Sequence, residues 1–232
     1  MRPIRAIHQI EMTSRCNLTC KYCVHKKMPR PKMDMSEETF IKALKWVKFF
    51  QAKRPHPELN LAGIGESTLH PDFVRFVHLA REAVGPYVNL VLATNGLLMT
   101  DELAQAIAPA KPHVWVSLHR PERAGPAVEA LKRAGIFNGT SSDPSLAAVD
   151  WAGQVQWHVS APKGRPCPWI ASSMVMVMSD GRVSRCCFDS TGEGVIATVD
   201  DDLSQFAQSP YSLCTNCHLN ADVFPMNKSE AA

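Results

Sequence analysis

Through its first 134 residues the chain alternates short apolar runs with longer stretches whose apolar residues recur at helical spacing, which narrows the folds open to it. Residues 4–12 read as a buried strand. Ser36-Glu37-Glu38 opens a helix that carries Phe40, Leu44, Val47 and Phe50 on one face. Residues 58–63 form a second strand, and 71–84 a helix with Phe73, Val74, Val77 and Ala80 on one side. Third and fourth strands, 88–93 and 113–118, are followed by helices over 101–107 and 121–134. Residues 155–159 read as a fifth strand, and the Ser-, Gly- and Asp-rich stretch 138–148 as a loop. Strands alternating with helices predict an α/β fold with parallel βα units. Five or six units are too few for a closed eight-unit barrel, so an open, partial barrel is expected. Ligands of such sheets gather at the carboxyl ends of the strands.

Composition adds little beyond the cysteines. With 232 residues, 45% hydrophobic and 20% charged, the chain has the make-up of one good-sized globular domain with room for a small appendage. No apolar run reaches the ~18 residues of a membrane span, and Met1-Arg2-Pro3-Ile4-Arg5 does not lead into a signal-peptide core. A cytoplasmic protein that contacts no membrane is expected. There, its 8 cysteines serve more readily as metal ligands than as disulfides. Oligomeric state is not legible.

Cys16-Asn17-Leu18-Thr19-Cys20-Lys21-Tyr22-Cys23 is a C-x3-C-x2-C run. Zinc half-sites show paired C-x2-C units, and these spacings are too short for disulfide pairing among the three. Three thiolates can hold three irons of a cubane [4Fe–4S] cluster and leave the fourth iron open, where most clusters have four cysteines. With Asn-Leu after the first cysteine and an aromatic before the last, the segment resembles the radical S-adenosylmethionine (SAM) superfamily, in which SAM chelates the open iron.

That resemblance implies further site residues. Leu61-Ala62-Gly63-Ile64-Gly65-Glu66-Ser67 is similar to the superfamily's GGEP segment at Gly65-Glu66, with Gly63 before it; Ile64 and Ser67 depart from the pattern. The resemblance implies close backbone approach at the glycines and a Glu66 carboxylate that accepts from the SAM ammonium. Thr94 and Asn95, in Ala93-Thr94-Asn95-Gly96, become polar contacts to SAM. Ser117 and His119 face SAM or substrate, and Tyr22 lies beside the adenine.

Beyond residue 165 the grammar changes. Residues 174–178 and 182–186 flank Ser179-Asp180-Gly181, a hairpin signal, and a short helix is expected near 203–208. Cys167-x13-Gly181-x4-Cys186 followed by Cys214-x2-Cys217 resembles the C-terminal twitch module, the short relative of the SPASM module, which holds an auxiliary [4Fe–4S] cluster. On that resemblance residues 1–165 are a partial (β/α)6-type barrel and 166–232 the twitch module. Cys187 is left spare, although a slip of one residue on a strand would exchange it with Cys186. A zinc site with two half-sites is the rival reading of this quartet. The formal charge of +3 counts thiols as neutral, and thiolates around two cluster cores would bring it to roughly zero.

The resemblance implies reductive cleavage of SAM to a 5′-deoxyadenosyl radical and hydrogen abstraction from a polar substrate. An electron donor such as flavodoxin or ferredoxin is implied as partner. The layout is similar to radical SAM dehydrogenases of aminoglycoside biosynthesis, implying two-electron oxidation of a small alcohol or amino sugar. Two alternatives stand beside it. One is radical rearrangement (an isomerase) of an amino-acid group on hypermodified thymidine in phage DNA, suggested by the basic loop His25-Lys26-Lys27-Met28-Pro29-Arg30-Pro31-Lys32. The other is peptide modification. A non-enzymatic metal-binding role would not need an open-iron triplet. Gln156 and His158, which share a face of the expected fifth strand, are substrate candidates with His119, Arg120 and Arg165. The tryptophans, Trp151 among them, are expected in core or interface packing.

Overall fold

Two of the helices begin at a side chain that caps them. Ser36 Oγ accepts from the Thr39 N–H and Thr100 Oγ1 from the Leu103 N–H, with Glu37, Glu38, Asp101 and Glu102 in the first turns. A computed structural model of the chain describes residues 2–141, 150–156 and 167–217. Its order is β1 (Arg2–Pro3), β2 (Ala6–Ile10), α1 (Glu37–Lys53), β3 (Glu58–Asn60), α2 (Phe73–Val84), β4 (Asn89–Thr94) and α3 (Asp101–Ile107). There follow β5 (His113–Ser117), α4 (Pro121–Arg133), β6 (Phe137–Ser141), α5 (Pro168–Ala171), β7 (Met174–Val177), β8 (Arg182–Ser184), β9 (Val195–Thr198) and β10 (Ala207–Gln208).

One 8-stranded sheet runs β6-β5-β4-β3-β2-β7-β8-β9. Pairing is parallel from β6 through β7 and antiparallel in the hairpin beyond. This is the α/β architecture of a partial radical SAM-type barrel. The outer faces of the strands pack under the helices: Phe40, Leu44, Val47 and Phe50 of α1 meet Phe73, Phe76, Val77 and Ala80 of α2 in one core. Phe40 stacks on Phe76 with ring centroids 4.1 Å apart. Phe76 thus takes the buried place expected for Val74, which is only partly buried. A bulge at His8 resets the register of β2 against β7.

The fifth strand of the βα series differs from expectation. It is β6, inside the stretch read as a loop. Among the described residues it is an edge strand that pairs with β5 alone, so polar residues suit its half-exposed faces. Gly139 lies against the Trp115 ring, where a Cβ would come within 2.7 Å of Trp115 Cζ3. Val155 sits instead in a turn closed by its N–H donating to Asp150 O at 3.1 Å; residues 157–159 of the expected strand lie outside the described residues. The sixth parallel strand is β7, which joins the far side of β2. Gly181, at φ 85°, turns the chain back from β7 into β8. The helix expected near 203–208 is a single 3-10 turn, Leu203–Gln205, followed by β10, which pairs with β1. Among the described residues no helix is long and apolar enough to cross a membrane.

Candidate active site

The carboxyl ends of β2 to β6 open into a cavity of about 420 Å³. Its wall includes Cys16, Cys20 and Cys23 from the loop after β2, Gly63 to Glu66 after β3, Thr94 and Asn95 at the end of β4, and Ser117 and His119 after β5. A buried ion pair organises this end of the sheet. Glu11, 0% exposed, receives two bonds from the Arg30 guanidinium at 2.6 and 2.8 Å and one from the Ile64 N–H at 2.9 Å. The Ser179 N–H after β7 donates to the same carboxylate at 3.3 Å. One side chain therefore ties the cysteine loop, the glycine loop and the end of β7 together. The sequence held one sign of it, the lone carboxylate of residues 4–12. Arg30 is thereby withdrawn from the basic loop; His25 is buried as well, with its ring Nε2 3.0 Å from Ser14 O.

Both glycines are sterically required. A Cβ on Gly63 would sit 2.3 Å from Glu11 Cγ, and one on Gly65 would sit 2.2 Å from Thr13 O. Glu66 N–H donates to Arg15 O at 2.7 Å, fastening the glycine loop to the cysteine loop. The Glu66 carboxylate accepts from Thr94 Oγ1 and the Asn95 N–H, both at 2.7 Å, and from Thr68 Oγ1 at 2.7 Å. Asn95 Nδ2 donates to Asn17 Oδ1 at 2.7 Å, and Asn95 Oδ1 accepts from the Leu97 N–H. Glu66, Thr94 and Asn95 all border the cavity, yet their side chains already knit β3, β4 and the cysteine loop.

The three cysteines of the triplet share one wall. Leu18 N–H points to Cys16 Sγ and His25 N–H to Cys23 Sγ, each at 3.4 Å. Burial pushes the Cys16 thiol up to about 11 and raises Cys23 too, so an added positive charge is needed to hold both as thiolates. Among the described residues no three Cys, His, Asp or Glu side chains converge tightly enough for one metal ion. Thiols spread along a wall suit the separate corners of a cluster better than a single tetrahedral ion.

Tyr22 Oη lies 2.5 Å from His119 Nδ1. Burial, and then the neighbouring Arg120, lowers the His119 pKa from 6.5 and keeps the ring neutral; burial, then the Cys20 charge, raises Tyr22 to about 12. Trp151 Nε1 donates to Tyr22 O at 2.9 Å, and its ring meets Phe188 edge-on. Trp151 and Phe188 both border the cavity, an assignment that the packing expectation for Trp151 missed. Ser117 Oγ accepts from Ser141 Oγ at 3.0 Å. Gln156 is exposed and lies off the cavity wall, so the structure does not bring it to the site; Gln154 is the residue that turns inward, donating to Phe188 O at 2.7 Å. His158 and Arg165 lie outside the described residues.

A second, smaller cavity of about 30 Å³ brings together Cys167, Cys186, Cys214 and Cys217. Cys187 faces the first cavity instead. Tyr211 Oη, buried against the Cys186 thiol, makes no well-formed hydrogen bond, and burial raises its pKa strongly. Phe188 N–H points to Cys186 Sγ at 3.3 Å. Asp189, 0% exposed, shapes the loop behind them through the Gly192 and Gly194 N–H groups and Ser184 Oγ.

The profile of the Radical SAM superfamily matches residues 10–161, and the chain belongs to that superfamily. It is 37% identical over 102 residues to the tungsten-containing aldehyde ferredoxin oxidoreductase cofactor-modifying protein of Pyrococcus furiosus, a match covering 43% of this chain and 26% of that one. It is 28% identical over 147 residues to mycofactocin maturase MftC of Mycobacterium tuberculosis, covering 62% and 34%. The match thus spans about a third or less of these relatives' length. In fold the chain is similar to BtrN in complex with AdoMet and 2-DOIA, with TM-score 0.68 at 17% identity over 88% of this chain and 85% of that one. It is also similar to anSMEcpe with bound AdoMet, with TM-score 0.60 at 17% identity over 88% and 79%. Membership implies a [4Fe–4S] cluster and SAM. The Cys16, Cys20 and Cys23 wall, with its backbone donors and uncompensated thiols, fits such a cluster.

Proposed function

We propose that this chain is a radical SAM enzyme that oxidises a small hydroxyl-bearing substrate by two electrons and holds an auxiliary [4Fe–4S] cluster at Cys167, Cys186, Cys214 and Cys217. The observation that carries the reading is the pair of cysteine-lined cavities, with Cys186 on the wall of the smaller and its neighbour Cys187 on the wall of the larger. When bound, the two clusters and SAM supply the hydrogen-abstracting radical and the one-electron acceptor that such an oxidation needs. The likeness to BtrN, whose structure holds AdoMet and 2-DOIA, supports a substrate of that kind.

The protein's own part is to position the substrate, exclude water and take a proton. His119 is placed for the last task. With Tyr22 donating toward the Cys20 sulfur, His119 Nδ1–H donates to Tyr22 Oη, and Nε2 is then the acceptor nitrogen of a ring that borders the cavity. Burial keeps that ring neutral. Trp151 and Phe188 close the side facing the C-terminal hairpin.

Electrons for the first cluster come, on this reading, from a flavodoxin or ferredoxin. The DNA-linked alternative loses one cation of the basic loop, since Arg30 is spent on Glu11, while Lys26, Lys27 and Lys32 stay exposed. Iron and sulfide content of anaerobically reconstituted protein tests the two-cluster reading: about eight irons per chain are expected, and about four would overturn it. SAM with dithionite should yield 5′-deoxyadenosine and methionine; absence of both would overturn the radical reading.

A further inference from the structure

Most polar side chains around the first cavity are engaged with protein partners. Two are not. Gln9 on β2 is 8% exposed, and Asn60 ends β3 as its partner in the parallel ladder. Both face the cavity, deeper in the barrel than Glu11 and the glycine loop. Among the described residues neither side chain makes a hydrogen bond, and Asn60 Oδ1 is fully buried without a partner. A buried amide left unpaired is destabilising, and native structures keep few of them without a functional reason.

We propose that Gln9 and Asn60 are the specificity-determining pair of the substrate site. They would hold two neighbouring hydroxyls, or a hydroxyl beside an amine, of an unphosphorylated polyol. Each amide offers an acceptor oxygen and a donor nitrogen, so the pair matches groups that both give and accept. Among the described residues no lysine or arginine borders this cavity, so none of these offers a phosphate or carboxylate a counter-charge. An apolar substrate would leave both amides unpaired. The pair sits on adjacent strands of one sheet, a rigid platform that fixes which carbon is presented to the open end. This assignment rests on the radical SAM reading of the same site.

The test uses the anaerobically reconstituted full chain with SAM, and myo-inositol, glucosamine and myo-inositol 1-phosphate as probes. Thermal unfolding should shift upward with myo-inositol or glucosamine and not with the phosphate ester. Gln9→Met and Asn60→Leu keep side-chain volume and remove the amide. Each should raise the midpoint of the ligand-free protein by about 2–4 °C and abolish the polyol shift. A lower ligand-free midpoint would mark the amides as structural and overturn the proposal. So would a polyol shift that survives in the variants, or no shift by either polyol in the wild type. Wild-type 5′-deoxyadenosine formation is measured alongside. If it is absent, the radical SAM reading fails; if it is present while the polyols are inert, only the amide assignment fails.

Discussion

The two cysteine-lined cavities are built on opposite plans. The first is open, about 420 Å³, and surrounded by backbone glycines, hydroxyls and carboxylates that fasten three loops to one another. The second, about 30 Å³, is lined by Trp169, Ile170, Tyr211 and Leu213, with Arg185 as its charged neighbour. The larger leaves room for groups that come and go with each turnover, and the smaller has room for little beyond what its own side chains hold. The difference also shows in how the cysteines arrive. The first three come from one loop of eight residues, and the other four from three separate places in the chain. The second cavity can form only after the hairpin and the last 3-10 turn have docked.

Replacing cysteines breaks the comparison most severely. Cys186→Ser and Cys214→Ser should each reduce iron from about eight to about four per chain, while Cys187→Ser should leave it near eight. Equal losses from Cys186→Ser and Cys187→Ser would erase the division between the cavities.

Arg30→Ala comes next. It strands the Glu11 carboxylate without its cation in a fully buried place, at a cost of about 3–5 kcal/mol by chemical denaturation. The first cavity should lose cluster occupancy before the second does. Glu11 and Arg30 replaced together by apolar residues should recover part of that stability.

His119→Gln should lower kcat/KM by about 10²-fold. In the wild type the neutral ring is the active form and burial lowers its pKa, so activity should fall only as pH drops below 6.5. A wild-type acid limb above 6.5, or a limb retained in His119→Gln, would remove His119 from the reaction. The smallest effect is expected at the smaller cavity. Tyr211→Phe takes away a buried hydroxyl dipole beside Cys186 and should lower the second cluster's potential by an amount on the order of tens of mV.

The helical faces, the cysteine triplet and the glycine loop were legible because each is a local pattern. Phe40, Leu44, Val47 and Phe50 repeat at the helical period, and Gly65-Glu66 follows a strand at the expected distance. β6 was not legible, because an edge strand of Phe-Asn-Gly-Thr-Ser pairs on one side only and needs no apolar alternation. Val155 misled for the converse reason. Its burial comes from a small satellite core with Val24, Met28 and Ile64, not from a sheet. That Cys186 and Cys187 border different cavities could be read only from the hairpin in three dimensions. Gln9 and Asn60 carried no signal, since only a ladder partner and the absence of hydrogen bonds single them out.

Strand β2 has β3 on one side and β7 on the other, though these neighbours are separated by more than a hundred residues of chain. During synthesis the ribosome delivers β3 soon after β2, but β7 must wait for Val177. At about 5–20 residues per second, β2 spends roughly ten to thirty seconds as a bare edge beside the loop that carries Cys16, Cys20 and Cys23. Glu11 waits as long for the Ser179 N–H. The frame of the first cavity is therefore finished only when synthesis has passed the barrel and entered the hairpin.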